Sequence, residues 1–197
     1  MKQIVLLVET EVLIKFTTLL QSGIYLEGKQ GETIGGLLTA LPGFTEEYVN
    51  QRVQTIFLNG LPADDLQQRL FGTEAVIALS AAMPGLAGAI FRKDGVHASL
   101  RTETAPNLSE TNQAAQPMTI RLKLFNMITM ERGARILGDG CVIMASALGK
   151  FLARRPPLLS TIKTITINGR ATDPHTLTSL LQSEKMIQLT VKESHDS

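Results

Sequence analysis

The residues that could do chemistry are few and scattered. Cys141 is the single cysteine of the chain. It follows Gly138-Asp139-Gly140 and reads as the start of a helix, a setting that lowers a thiol pKa. Its neighbours Val142, Ile143 and Met144 favour a plainer role as a small buried hydrophobe. His97, His175 and His195 are not spaced with Cys, Asp or Glu as metal ligands require. They read as surface residues in a hairpin, a loop and the C-terminal tail. Lys150, Arg154 and Arg155 form a basic cluster that could meet phosphate, but a helix C-terminus is also where the dipole favours cations. Gly138-Asp139-Gly140 lacks the lysine and spacing of a phosphate loop. Asp64-Asp65 reads as a cap. No nucleophile-elbow pattern appears. The expectation is a protein that is not an enzyme, with no cofactor and no metal site.

One segment could recognise a partner. Met83, Pro84, Gly85, Leu86, Gly88 and Phe91 lie in a nearly uninterrupted apolar run. Its glycines would allow close backbone approach, so a groove contact or strand addition to a partner is expected here. The alternative is an interdomain strand packed under the second half of the chain.

The composition frames these candidates. The chain has 197 residues, 44% of them hydrophobic, which supports a buried core. A net charge of +1 marks no dedicated nucleic-acid binder. Residues 1–105 carry 8 Lys/Arg against 11 Asp/Glu, and residues 106–197 carry 11 against 7, a mild dipole of −3 and +4. A single cysteine permits no internal disulfide and fits a reducing compartment. The opening apolar run from Ile4 to Val8 is too short for a signal-peptide core or a membrane span. A cytoplasmic protein with no membrane association is expected.

The elements that would position these residues come from an internal repeat. Val53-Gln54-Thr55-Ile56-Phe57-Leu58-Asn59-Gly60 matches Ile162-Lys163-Thr164-Ile165-Thr166-Ile167-Asn168-Gly169 at an offset of 109, with four identities in eight. Each is a strand ending in Asn-Gly, the dipeptide of tight turns with positive φ. Upstream, Leu13, Phe16 and Leu19 match Leu122, Phe125 and Ile128 at the same offset. Downstream, Leu70, Glu74, Ile77 and Leu79 match Leu180, Glu184, Ile187 and Leu189 at 110. Ile34, Leu37, Leu38 and Leu41 form one helical face with Thr33 as N-cap and Pro42-Gly43 as stop. Met144, Ala147, Leu148, Phe151 and Leu152 form the matching stripe, closed by Pro156-Pro157.

Each copy therefore reads strand, strand, helix, strand, strand. The predicted division is a first domain over 1–105, a linker over 106–117 and a second domain over 118–197. Two stretches lie outside the repeat: the strand Gln3 to Val8, and a hairpin within 80–104 turning at Lys93-Asp94-Gly95.

The first copy resembles the β-grasp, or ubiquitin-like, superfamily. Gly31-Glu32-Thr33-Ile34-Gly35-Gly36-Leu37-Leu38-Thr39-Ala40-Leu41, then Ile56-Phe57-Leu58-Asn59-Gly60, Asp64-Asp65 and Ala75-Val76-Ile77-Ala78-Leu79 are similar to its sulfur-carrier branch, the small subunit of molybdopterin synthase and the thiamine-pathway carrier. The resemblance covers residues 12–88 and, through the repeat, the second copy. It implies an α+β fold of two tandem β-grasp domains, ββαββ each. It also implies that the edge near Met83–Phe91 enters a partner enzyme. The family's chemistry needs a free C-terminal Gly-Gly, which becomes a thiocarboxylate. Pro84-Gly85-Leu86-Ala87-Gly88 has no adjacent glycines and is internal, and the second copy ends without glycine. The function expected is a non-catalytic protein-interaction or scaffold protein with a protein partner; a homo-oligomer is compatible. The alternatives are a sulfur carrier processed after Gly88, or a small-ligand binder between the domains.

Overall fold

The computed structural model describes residues 1–93, 95–106 and 116–194. The first half runs β1 (Lys2–Val8), α1 (Thr10–Thr17), a 3-10 turn (Thr18–Ser22), β2 (Ile24–Lys29), α2 (Ile34–Thr39), α3 (Glu46–Arg52), β3 (Thr55–Leu58), β4 (Leu61–Pro62), β5 (Glu74–Ser80) and α4 (Gly85–Phe91). After a 3-10 turn at Ala98–Leu100 come β6 (Pro117–Phe125), α5 (Asn126–Asp139), β7 (Cys141–Met144), α6 (Ala145–Ala153), α7 (Pro156–Ser160), β8 (Thr164–Ile167), β9 (Arg170–Thr172), α8 (Pro174–Ser183) and β10 (Met186–Glu193). The protein is α+β. None of the described helices is long and apolar enough to cross a membrane.

The chain forms two compact units, one of residues 1–24 with 129–197 and one of residues 25–128. In the second unit the strand order is β4-β3-β5-β6-β2. β5 and β6 run parallel, from Glu74 opposite Thr119 to Ser80 opposite Phe125, and β3 pairs antiparallel with β5. β6 alternates Ile120, Leu122 and Leu124, all buried, with Arg121, Lys123 and Phe125 on the other face, the period-two signature of a half-buried strand. α2 forms as its stripe predicts: Thr33 accepts a hydrogen bond from the Gly36 amide at 3.0 Å, and Ile34, Leu37 and Leu38 are buried.

In the first unit the order is β7-β10-β1-β8-β9. β1 runs parallel to β10 and antiparallel to β8. Ile4, Leu6 and Val8 of β1 are fully buried. Phe16 of α1 meets Phe151 of α6 with ring centroids 5.3 Å apart. α8 starts on Asp173, whose carboxylate accepts from the His175 and Thr176 amides. The Thr176 amide and hydroxyl bonds, with that to His175, hold the Asp173 pKa below its ordinary value.

Both Asn-Gly dipeptides turn as read. Asn59 and Asn168 have φ of 52° and 50°, and the glycines that follow are also positive. Each asparagine then grips its neighbouring strand twice. Asn59 donates its amide to the Val76 carbonyl and accepts from the Val76 amide through Oδ1, both at 2.8 Å. Asn168 does the same with Gln3, at 2.8 and 2.9 Å. The strand gripped by the first turn is β5, next but one along the chain. The strand gripped by the second is β1, from the far end of the sequence, and β10 lies one place further across.

This arrangement departs from the sequence reading in five respects. The units are not the consecutive stretches 1–105 and 118–197, because β1 pairs with β8 and β10. The first two strands of each half are separated by helix, α1 in one and α5 in the other. Leu13, Phe16 and Leu19 recur every three residues because they are helical or 3-10, whereas Leu122 and Phe125 lie on β6, so that upstream match paired unlike elements. The opening strand is not outside the pattern: β1-α1-β2 parallels β6-α5-β7, with Val8 and Phe125, and Ile24 and Cys141, each 117 apart. Finally, the stretch after β5 holds α4 and a 3-10 turn rather than a hairpin. Leu86-Ala87-Gly88-Ala89-Ile90 does not alternate in polarity, and Leu and Ala favour helix. Of the expected linker, residues 107–115 and the turn residue Asp94 lie outside the described residues, and Pro117 already opens β6.

Candidate functional site

The run singled out in the sequence belongs to an excursion, residues 81–106, between β5 and β6. Arg101 is its hub. The side chain is 2% exposed. Its guanidinium donates to the Ile90 carbonyl at 2.8 Å, to the Arg92 carbonyl at 2.7 Å and to Asp64 Oδ2 at 2.5 Å. One residue thus ties the end of α4 to the loop after β4, through the planar fork that lysine lacks. Four further bonds fix the excursion to the unit. The Lys93 amide donates to the Gln54 carbonyl at 2.6 Å, and Arg92 Nε to Gln54 Oε1 at 2.9 Å. The Ala105 amide donates to the Pro62 carbonyl, and the buried Gln68 side chain to the Pro106 carbonyl.

The predicted site residues take different places on this scaffold. Pro84 stands at the N-cap of α4, and Gly85 adopts φ 77°. Gly88 is buried, and a Cβ there would fall 1.8 Å from the Met83 carbonyl oxygen. The glycine therefore serves a contact within the chain. Phe91 packs on Phe57 of β3 with centroids 5.4 Å apart, and Met83 is half-buried. Leu86 is 70% exposed, and Val96 and Leu100, also on the excursion, are 93% and 61% exposed.

Beside the excursion lies a pocket of about 430 Å³ on the face of the second unit's sheet that carries Phe57, Val76, Ala78, Lys123 and Phe125. Phe57, Ala78 and Lys123 sit in one row across three strands, since Ala78 is opposite both. Ala78 is the small residue of that row, and Phe125 lies two residues further along β6, opposite Ser80. Met83 from the excursion, Gly60, Leu79, Ser80 and Asn126 also line it. The Asn126 side chain donates to Ser80 Oγ at 2.9 Å. Lys123 is the one charged residue among the lining.

The remaining candidates lose their chemical readings. Cys141 opens β7, not a helix, and burial pushes its thiol up to about 12. Gly138 and Asp139 end α5 and Gly140 follows, at the negative end of the dipole, where an anion is disfavoured. Arg154 caps the C-terminus of α6, and Arg155 stacks over Phe151 at 4.3 Å. His97 and His175 are exposed, and His195 lies outside the described residues. Among the described residues no group of three acidic, cysteine or histidine side chains could hold a metal ion. Asp64 is no cap but the acidic partner of Arg101, while Asp65 accepts from the Gln67 amide at 2.7 Å. Arg101, Ala78 and Lys123 escaped the sequence reading, because their partners are distant in sequence and no local spacing marks them. No protein-family model matches the chain, and neither curated proteins nor solved structures gave a match.

Proposed function

We propose that the chain is a non-catalytic protein-interaction module of tandem β-grasp, sulfur-carrier-like type, which docks a partner protein through the excursion after β5. The observation that carries this is an irregular segment held firmly by Arg101 while it turns Leu86, Val96 and Leu100 outward. Exposing large apolar side chains on a stapled scaffold suits recognition: little ordering cost remains to be met on binding. Arg92 and Lys93 flank them, so the fitting partner has an apolar groove with an acidic rim. The β-grasp part of the reading is supported by the central parallel strand pair of each unit and by the two Asn-Gly turns gripping the adjacent strand. Burial of Gly88 against Met83 weighs against a carrier that is cut there.

The test compares wild type with a variant carrying Leu86→Ser, Val96→Ser and Leu100→Ser, tagged and purified from the native cell. A partner retained by wild type and lost by the variant, at an unchanged Tm, is the expected result. Equal retention by both proteins contradicts the proposal.

A further inference from the structure

The pocket over Ala78 has a composition of its own. Its walls are the rings of Phe57 and Phe125 with Val76 and Met83, and its lining holds no acidic side chain among the described residues. Its volume, about 430 Å³, lies at the small end of ordinary ligand sites, which run roughly 300–1,000 Å³. Lys123, the one charged residue of the lining, is the register partner of Ala78 on β6. The lining also includes Asn126, whose side-chain amide donates to Ser80 Oγ. One cationic side chain therefore stands in a lining that is apolar apart from Ser80 and Asn126. The ligand complementary to this lining is an apolar body ending in a single negative charge.

We infer that this pocket is a binding site for a small apolar monocarboxylate, with Lys123 pairing the carboxylate and the Phe57–Ala78–Phe125 trough taking the hydrocarbon chain. Attraction between the ammonium and the carboxylate is strengthened where water is partly excluded. The small side chain at position 78 decides whether there is room. The site goes beyond the docking function and shares no residue with the exposed leucines and valine of the excursion.

Isothermal titration with decanoate, kept below its micelle concentration, tests the inference against decanol, which has the same chain and no charge. Wild type binds decanoate about tenfold more tightly than decanol. Lys123→Met removes that preference, bringing decanoate to the affinity of decanol, and Lys123→Arg keeps most of it. Ala78→Leu fills the trough and abolishes binding of both. Positions 78 and 123 are half-exposed, so circular dichroism and Tm should match wild type and confirm folded variants. The triple serine variant of the excursion binds decanoate as wild type does, which separates this site from the docking proposal. The inference is overturned if wild type binds neither compound, if it binds both equally, if Lys123→Met retains the preference, or if Ala78→Leu leaves binding undiminished.

Discussion

Replacing Arg101 with methionine keeps an apolar stem of similar length and removes three hydrogen bonds at once. Two backbone carbonyls and the Asp64 carboxylate, itself about a third exposed, lose their donor. The expected loss is roughly 2–3 kcal/mol in urea unfolding, because the partners left behind are partly desolvated. Arg101→Lys should recover little of it, since one ammonium cannot reach all three acceptors. A loss below about 0.5 kcal/mol, the usual size for surface substitutions, would show that Arg101 is no hub. Nothing in the sequence marks this role: Arg101 and Asp64 are 37 residues apart, and neither sits in a periodic pattern. Cys141 was legible in character though not in place. Its apolar neighbours announce burial, but only the structure puts it on a strand.

At the level of elements, α4 depends on Gly88. A methyl group there would overlap the Met83 carbonyl, so Gly88→Ala must push the helix off its seat. Overpacking of this kind costs roughly 1–3 kcal/mol. The damage should be local: limited proteolysis would cut Gly88→Ala within 81–106 while the strands on either side stay protected. Cleavage spread evenly over the chain would contradict a local effect. Strands β1, β3, β5, β8 and β10 and the two Asn-Gly turns were legible, because period-two burial and positive φ leave a residue-level trace. α4 was not. A nine-residue apolar run around two glycines suits a strand and a short helix alike, and the Met83 contact that selects the helix is tertiary. The same ambiguity let helical Leu13 and Phe16 align with residues of β6.

The described residues hold ten strands, five in each unit, but not in the order of the sequence. The repeat shows that two similar stretches exist; it cannot show which strand stands beside which. β1 and β10 are both apolar, alternating and parallel, and either could lie beside an Asn-Gly turn. Register and the grip of Asn168 on Gln3 select β1, a choice made by packing across the length of the chain. The docking proposal belongs to this scale as well, because it places recognition on one excursion of one unit. Photo-crosslinking in the native cell tests that placement most directly. With p-benzoylphenylalanine introduced singly in place of Leu86, Val96 or, as a control, the exposed Thr178 of α8, the account predicts the same partner adduct from positions 86 and 96 and none from 178. Adducts of equal yield from all three positions, or none from 86 and 96, would contradict it.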